Sequence, residues 1–94
     1  MPEMDGIISL VSGAACAKLA DVMRDDIEYG QEAWDRLRER LAYLGPEDVR
    51  DRTGTDLQLS ARAWRLVEAL ARTPYADLTA LVDALESASA AAAV

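Results

Sequence analysis

Apolar residues recur at three- and four-residue intervals along most of this chain, and no stretch alternates apolar with polar as a half-buried strand does. The clearest run is Thr55 to Thr73, where Leu59, Ala63, Leu66 and Leu70 keep helical spacing and Trp64, Val67 and Ala71 widen the stripe. So broad a stripe expects more than one neighbour. Thr55 followed by Gln58 forms a capping-box pattern, which places the helix start at Thr55. Pro74 ends the helix, because it lacks an N–H and disfavours α geometry at Thr73. Trp34 and Trp64 both fall on apolar stripes and are expected in the core, Trp64 between the first, fourth and fifth helices.

The other elements follow in order. Residues 1–4 read as a loose lead-in, with Asp5 as a candidate N-cap. Met4, Ile8, Val11, Ala15, Leu19, Val22 and Met23 then continue one long first helix, bent or broken near Ser12-Gly13 and ending before Gly30. Gln31 to Leu44 is a second helix, with Trp34, Leu37, Leu41 and Leu44 on one stripe. Gly45-Pro46 stops it and opens a short third helix that ends near Arg52, with Pro46 suited to the first position and Glu47 and Asp48 to the first turn. Thr53-Gly54 leads into the Thr55 helix, the fourth. Thr73-Pro74 repeats an N-cap signature for a last helix, whose apolar face is Tyr75, Leu78, Leu81, Val82 and Leu85. The Ala-rich residues 87–94 either extend that helix, dock as a short final piece, or fray. The fold class expected is all-α: five to six helices on short loops in a compact antiparallel bundle.

Composition narrows the function. Ninety-four residues, 51% of them hydrophobic and 29% charged, suit one small globular domain with a modest core and neither metal nor disulfide. Phe is missing, so Leu, Ala, Val and the two Trp must fill that core. A net charge of −7 argues against nucleic acid and against an anionic membrane surface. No apolar run reaches membrane-spanning length, and the apolar segment 7–17 follows an acidic flank where a secretory leader is basic. The lone Cys16 precludes an intrachain disulfide, consistent with a reducing, cytoplasmic setting. Nine Arg to one Lys, with many Ala, fits a high-GC bacterial source.

Candidate chemistry is sparse. The chain has no His, which removes the commonest general base and metal ligand. Cys16 lies among Ala14, Ala15 and Ala17 and reads as a small core hydrophobe. Asp25 and Asp26 are adjacent on a helix and point about 100° apart, so they do not form a catalytic dyad. Asp48 and Asp51 are flanked by Arg50 and Arg52 and fall short of the oxygen ligands a cation site needs. No catalytic residue, cofactor site or metal site is expected. Two charged surfaces remain: an acidic side of the first helix (Asp21, Asp25, Asp26, Glu28) and an Arg side of the fourth (Arg62, Arg65, Arg72). The Arg side reads equally as a solvated face or as a binding surface, the acidic first helix offering an opposite patch in the same small domain, whereas the acidic side reads as a solvated face rather than a catalytic one.

The C-terminal half carries a family resemblance. Gly45-Pro46-Glu47-Asp48-Val49, the loop Thr53-Gly54-Thr55, the run Arg62-Ala63-Trp64-Arg65-Leu66-Val67-Glu68-Ala69-Leu70, and Tyr75 with Leu78, Leu81, Val82, Ala84 and Leu85 follow in the order of the death-fold superfamily. The chain most resembles the caspase recruitment domains and the bacterial death-like, effector-associated domains. A first helix broken midway fits that pattern too. The likeness rests on residues 45–86, and on helix order alone before them. The run Asp56-Leu57-Gln58-Leu59 starts the fourth helix earlier than the family pattern, and a sixth helix is hard to see in the Ala tail. The resemblance implies a non-catalytic adaptor module that binds a like domain homotypically, often within bacterial antiphage or conflict systems; exposed ion pairs contribute only about 0–1 kcal/mol each, so a weak homo-oligomer is expected. The rival expectation is a small acidic inhibitor or antidefence protein that occupies a basic groove of another protein through Asp21, Asp25, Asp26 and Glu28.

Overall fold

In a computed structural model that describes residues 2–54 and 56–92, the described residues form six α-helices and one 3-10 turn. α1 is Pro2–Ser9, α2 Gly13–Tyr29, α3 Gln31–Tyr43, α4 Pro46–Thr53, α5 Leu57–Ala71 and α6 Leu78–Ala92, with the 3-10 turn Tyr75–Asp77 leading into α6. The expected all-α bundle is the fold observed.

The first long helix is two helices. α1 begins at Pro2, ahead of the Asp5 cap expected, and residues 2–4 are helical rather than a loose lead-in. Proline fits a helix start, and Glu3 and Asp5 in the first turn favour the positive end of the macrodipole. Burial of Met4 and Ile7 in the core fixes the segment. The chain breaks at Leu10–Ser12. Ser12 takes extended geometry and its Oγ accepts from the Ala15 N–H at 3.3 Å, capping α2.

Gly30 ends α2 and starts α3. Its φ of 92° lies in the left-handed region that a Cβ disfavours. Its N–H donates to Ile27 O and its carbonyl accepts from Trp34 N–H, so one residue serves both helix ends. At α4, Asp48 Oδ2 accepts from the Gly45 N–H at 2.8 Å, the returning half of a capping box.

α5 is capped by Asp56, whose Oδ1 accepts from Gln58 N–H at 3.0 Å and Leu59 N–H at 3.1 Å. The start expected at Thr55 lies outside the described residues. The far end of α5 is held by side chains of α3. Trp34 Nε1 donates to Thr73 O at 2.8 Å and Arg38 Nε donates to Ala71 O at 3.1 Å. Both carbonyls lie at or just beyond the helix C-terminus, where the backbone has no partner of its own. Thr73 does not cap the last helix as expected. Its Oγ1 instead bonds back to Ala69 O at 2.8 Å.

The core gathers Met4, Ile7, Cys16, Ala20, Met23, Trp34, Leu70, Leu78, Leu81, Val82 and Leu85. Ile7, Leu78, Leu81 and Leu85 are fully enclosed. Each such side chain contributes about 1.5–3 kcal/mol relative to exposure. The Ala-rich segment continues α6 as far as Ala92 and lies along α2. The two helices run antiparallel. Gly13 at the start of α2 meets Ala92 at the end of α6, so closely that a Cβ on Gly13 would overlap the Ala92 methyl. Tyr75 OH, just before α6, donates to Ile27 O near the end of α2 at 2.8 Å.

Trp64 departs from expectation. It is half-buried in a shallow groove with Leu41, Ala42 and Val67, between α3 and α5, while Trp34 is the indole at the centre. No helix among the described residues is long and apolar enough to cross a membrane.

Candidate interaction surfaces

The Arg set of α5 is solvent-exposed. Arg62, Arg65 and Arg72 share the side of the helix that turns away from Ser60 and Leu70, its buried residues. Among the described residues none of the three enters an ion pair. Arg72 Nε donates along its own helix to Glu68 O at 3.3 Å. Arg65 and Arg72, with Ala69, form one wall of a cleft of about 360 Å³ between α5 and α1. Gly6 and Leu10 line the opposite wall. Gly6 leaves open space there: a Cβ on it would meet nothing within 4 Å. Glu3 and Glu68 also reach the cleft.

The acidic set of α2 divides. Asp21, Asp25 and Glu28 are exposed. Asp21 pairs with Arg24 at 3.4 Å, and Arg24 also pairs with Glu86 of α6, so α2's only arginine is engaged within the chain. Asp25 and Glu28 form no ion pair among the described residues. Asp26 is turned partly inward. Its Oδ2 is buried without a hydrogen-bond partner. Burial, and secondarily the neighbouring Asp25 charge, push its carboxyl above the ordinary value. Asp26 thus belongs to the edge of the core rather than to the outward surface.

Two residues absent from the sequence-derived sets stand on that outward side. Val22 is 53% exposed and Tyr29 76% exposed, one heptad apart on α2. Their signal in the sequence was weak, because the stripe of the first helix absorbed Val22 and Tyr29 read as a helix end. α2 packs on α6 and α3, whereas α5 packs on α4, α3 and α1. The acidic and basic surfaces therefore lie on different flanks of the bundle. Cys16 is buried and faces Val11 O, consistent with a core residue. Asp48 is committed to the Gly45 N–H.

No protein-family model, curated protein or solved structure matches the chain significantly.

Proposed function

We propose that this chain is a non-catalytic protein–protein interaction domain that associates with a like domain, in the homotypic manner implied by its resemblance to death-fold adaptors. One observation carries the reading. Exposed carboxylates on α2 and exposed guanidiniums on α5 lie on separate flanks, largely free of partners among the described residues. Two different surfaces that fit each other generate head-to-tail assemblies rather than closed dimers. The lack of any His supports a non-catalytic role. The setting in a bacterial antiphage or conflict system rests on the resemblance of residues 45–86.

Charge reversal tests the reading. Arg65→Glu alone and Asp25→Arg alone should each leave a monomer by size-exclusion chromatography with light scattering. Mixing them should restore a heterodimer through the one intact pair of surfaces. The attraction should also fade with salt, as the Debye length shrinks from about 10 Å at 0.1 M to about 3 Å at 1 M. A parent protein that stays monomeric at all concentrations and salts would end the homotypic reading and favour the acidic inhibitor.

A further inference from the structure

The geometry points to a specific seat for the contact: Tyr29 of one copy inserts into the cleft between α1 and α5 of the next copy. This rests on the homotypic reading and names the apolar anchor that charge alone leaves out.

Tyr29 is the last residue of α2, immediately before the turn at Gly30. It projects from a corner of the bundle with 76% of its surface in water. A large aromatic so placed does little for its own fold. Aromatic side chains are the commonest anchors of protein interfaces, because a ring contributes much area for two torsions. The receiving cleft holds about 360 Å³, at the small end of the range of about 300–1,000 Å³ typical of ligand pockets. That volume suits one aromatic side chain rather than a helix.

The linings match in chemistry. Gly6, Leu10 and Ala69 offer small and apolar surface for the ring. Arg65 and Arg72 offer guanidinium planes, which stack on aromatic faces. Glu3 and Glu68 offer acceptors for the phenol hydroxyl. Around Tyr29, Asp25 and Glu28 supply the carboxylates that Arg65 and Arg72 lack among the described residues. The same placement brings Val22, two turns back on α2, towards the neighbour's surface.

Gly6 supplies a fold-safe way to close the cleft. It lies mid-helix in α1, its added Cβ would touch nothing within 4 Å, and any ordinary side chain there improves helix propensity. Gly6→Leu should fill the seat and Tyr29→Ala should remove the occupant. Each alone should weaken association about thirtyfold or more in sedimentation equilibrium, which corresponds to about 2 kcal/mol. Mixed, the two variants should form a one-to-one heterodimer, because the Gly6→Leu copy keeps its Tyr29 and the Tyr29→Ala copy keeps its cleft. Circular dichroism should show both variants folded. If the charge reversals disrupt assembly while Tyr29→Ala and Gly6→Leu assemble like the parent, this seat is wrong and the homotypic reading stands. If both variants lose assembly but the mixture does not recover, the Tyr29–cleft pairing is overturned. A parent that never associates overturns both.

Discussion

Trp34 clasps α3 to the turn that follows α5. Its indole is 1% exposed, and its Nε1 donates to the carbonyl of Thr73, a residue itself only 3% exposed. That bond joins α3 to the turn after α5 across 39 positions of sequence. Trp34→Phe keeps an aromatic ring and deletes the donor. A buried carbonyl left without its partner costs about 1–3 kcal/mol. The volume lost on going from indole to phenyl adds about 1 kcal/mol of packing loss. The expected sum is about 2–4 kcal/mol, out of a total of about 5–14 kcal/mol for a domain of this length. At roughly 4–8 °C per kcal/mol, the midpoint of thermal unfolding should fall by at least about 8 °C.

Trp64→Phe is the matched control. Trp64 is half-buried, and among the described residues its indole makes no hydrogen bond, so the same change should cost less than about 1 kcal/mol. Urea unfolding followed by circular dichroism gives both free energies. The variants also report on each other. The Trp34→Phe protein keeps only Trp64, whose fluorescence acrylamide should quench readily, while the Trp64→Phe protein keeps the shielded Trp34. A Trp34→Phe protein within about 0.5 kcal/mol of the parent, inside the error of such measurements, would refute the α3–α5 clasp.

Two smaller perturbations test other joints. Asp56→Ala should cost about 0.5–2 kcal/mol by freeing the Gln58 and Leu59 N–H groups, and unchanged urea unfolding would move the start of α5. Asp26→Asn should stabilise the domain at neutral pH, because the amide keeps the side chain's shape and removes the charge that burial, and secondarily Asp25, disfavours. Its carboxyl is raised in the folded state, so folding disfavours the charged form and ionisation costs stability at neutral pH. That penalty is relieved as pH falls through the folded value and is gone below the ordinary value of 3.8, so the advantage of Asn should shrink on acidification. An advantage of Asn that does not change with pH would contradict the linkage.

The elements were legible because their punctuation is chemical. Gly30, Gly45-Pro46 and Pro74 lie where the chain turns, and the face Leu78, Leu81, Val82, Leu85 is buried as its spacing implies. The choice between the two tryptophans was not legible. Periodicity assigns each to an apolar side of its helix, but burial depends on a third element covering that side. Trp34 is covered because the turn at Thr73 folds over it, a long-range fact with no local trace. Leu59 shows the same limit, with correct spacing on α5 yet 51% exposure, one turn from the helix start. The cap of α5 turns on one residue of register, since Asp56 and Thr55 are both cap-forming types. The Ala-rich end could not be placed from propensity, which Ala satisfies docked or free. Its docking is written far away in sequence, in Gly13, which follows the expected helix break and is also a point of close approach to Ala92. Of the charged surfaces, Arg62, Arg65 and Arg72 are exposed, whereas Asp26 turns partly inward because its position on α2 lies nearer the core side than that of Asp25.

The packing of α2 explains why it has a surface to spare. Its inward residues are Cys16, Ala20 and Met23, two of them small, and Gly13 lets α6 approach closely at one end. Close approach of small faces fills the core without Val22 or Tyr29. Leaving those two in water forgoes about 25 cal/mol for each Å² of apolar surface that burial would cover. Single exposed hydrophobes are common and carry little meaning alone. These two differ in sharing one side of one helix with Asp25 and Glu28. An exposed ion pair contributes only about 0–1 kcal/mol, so a few such pairs hold a complex briefly at best. Complementary charge instead speeds encounter and selects orientation, while a desolvated aromatic anchor slows dissociation. A surface bearing both supplies register from its carboxylates and lifetime from its ring. That division of labour makes Tyr29, rather than any one charge, the residue on which a homotypic contact of this bundle should depend.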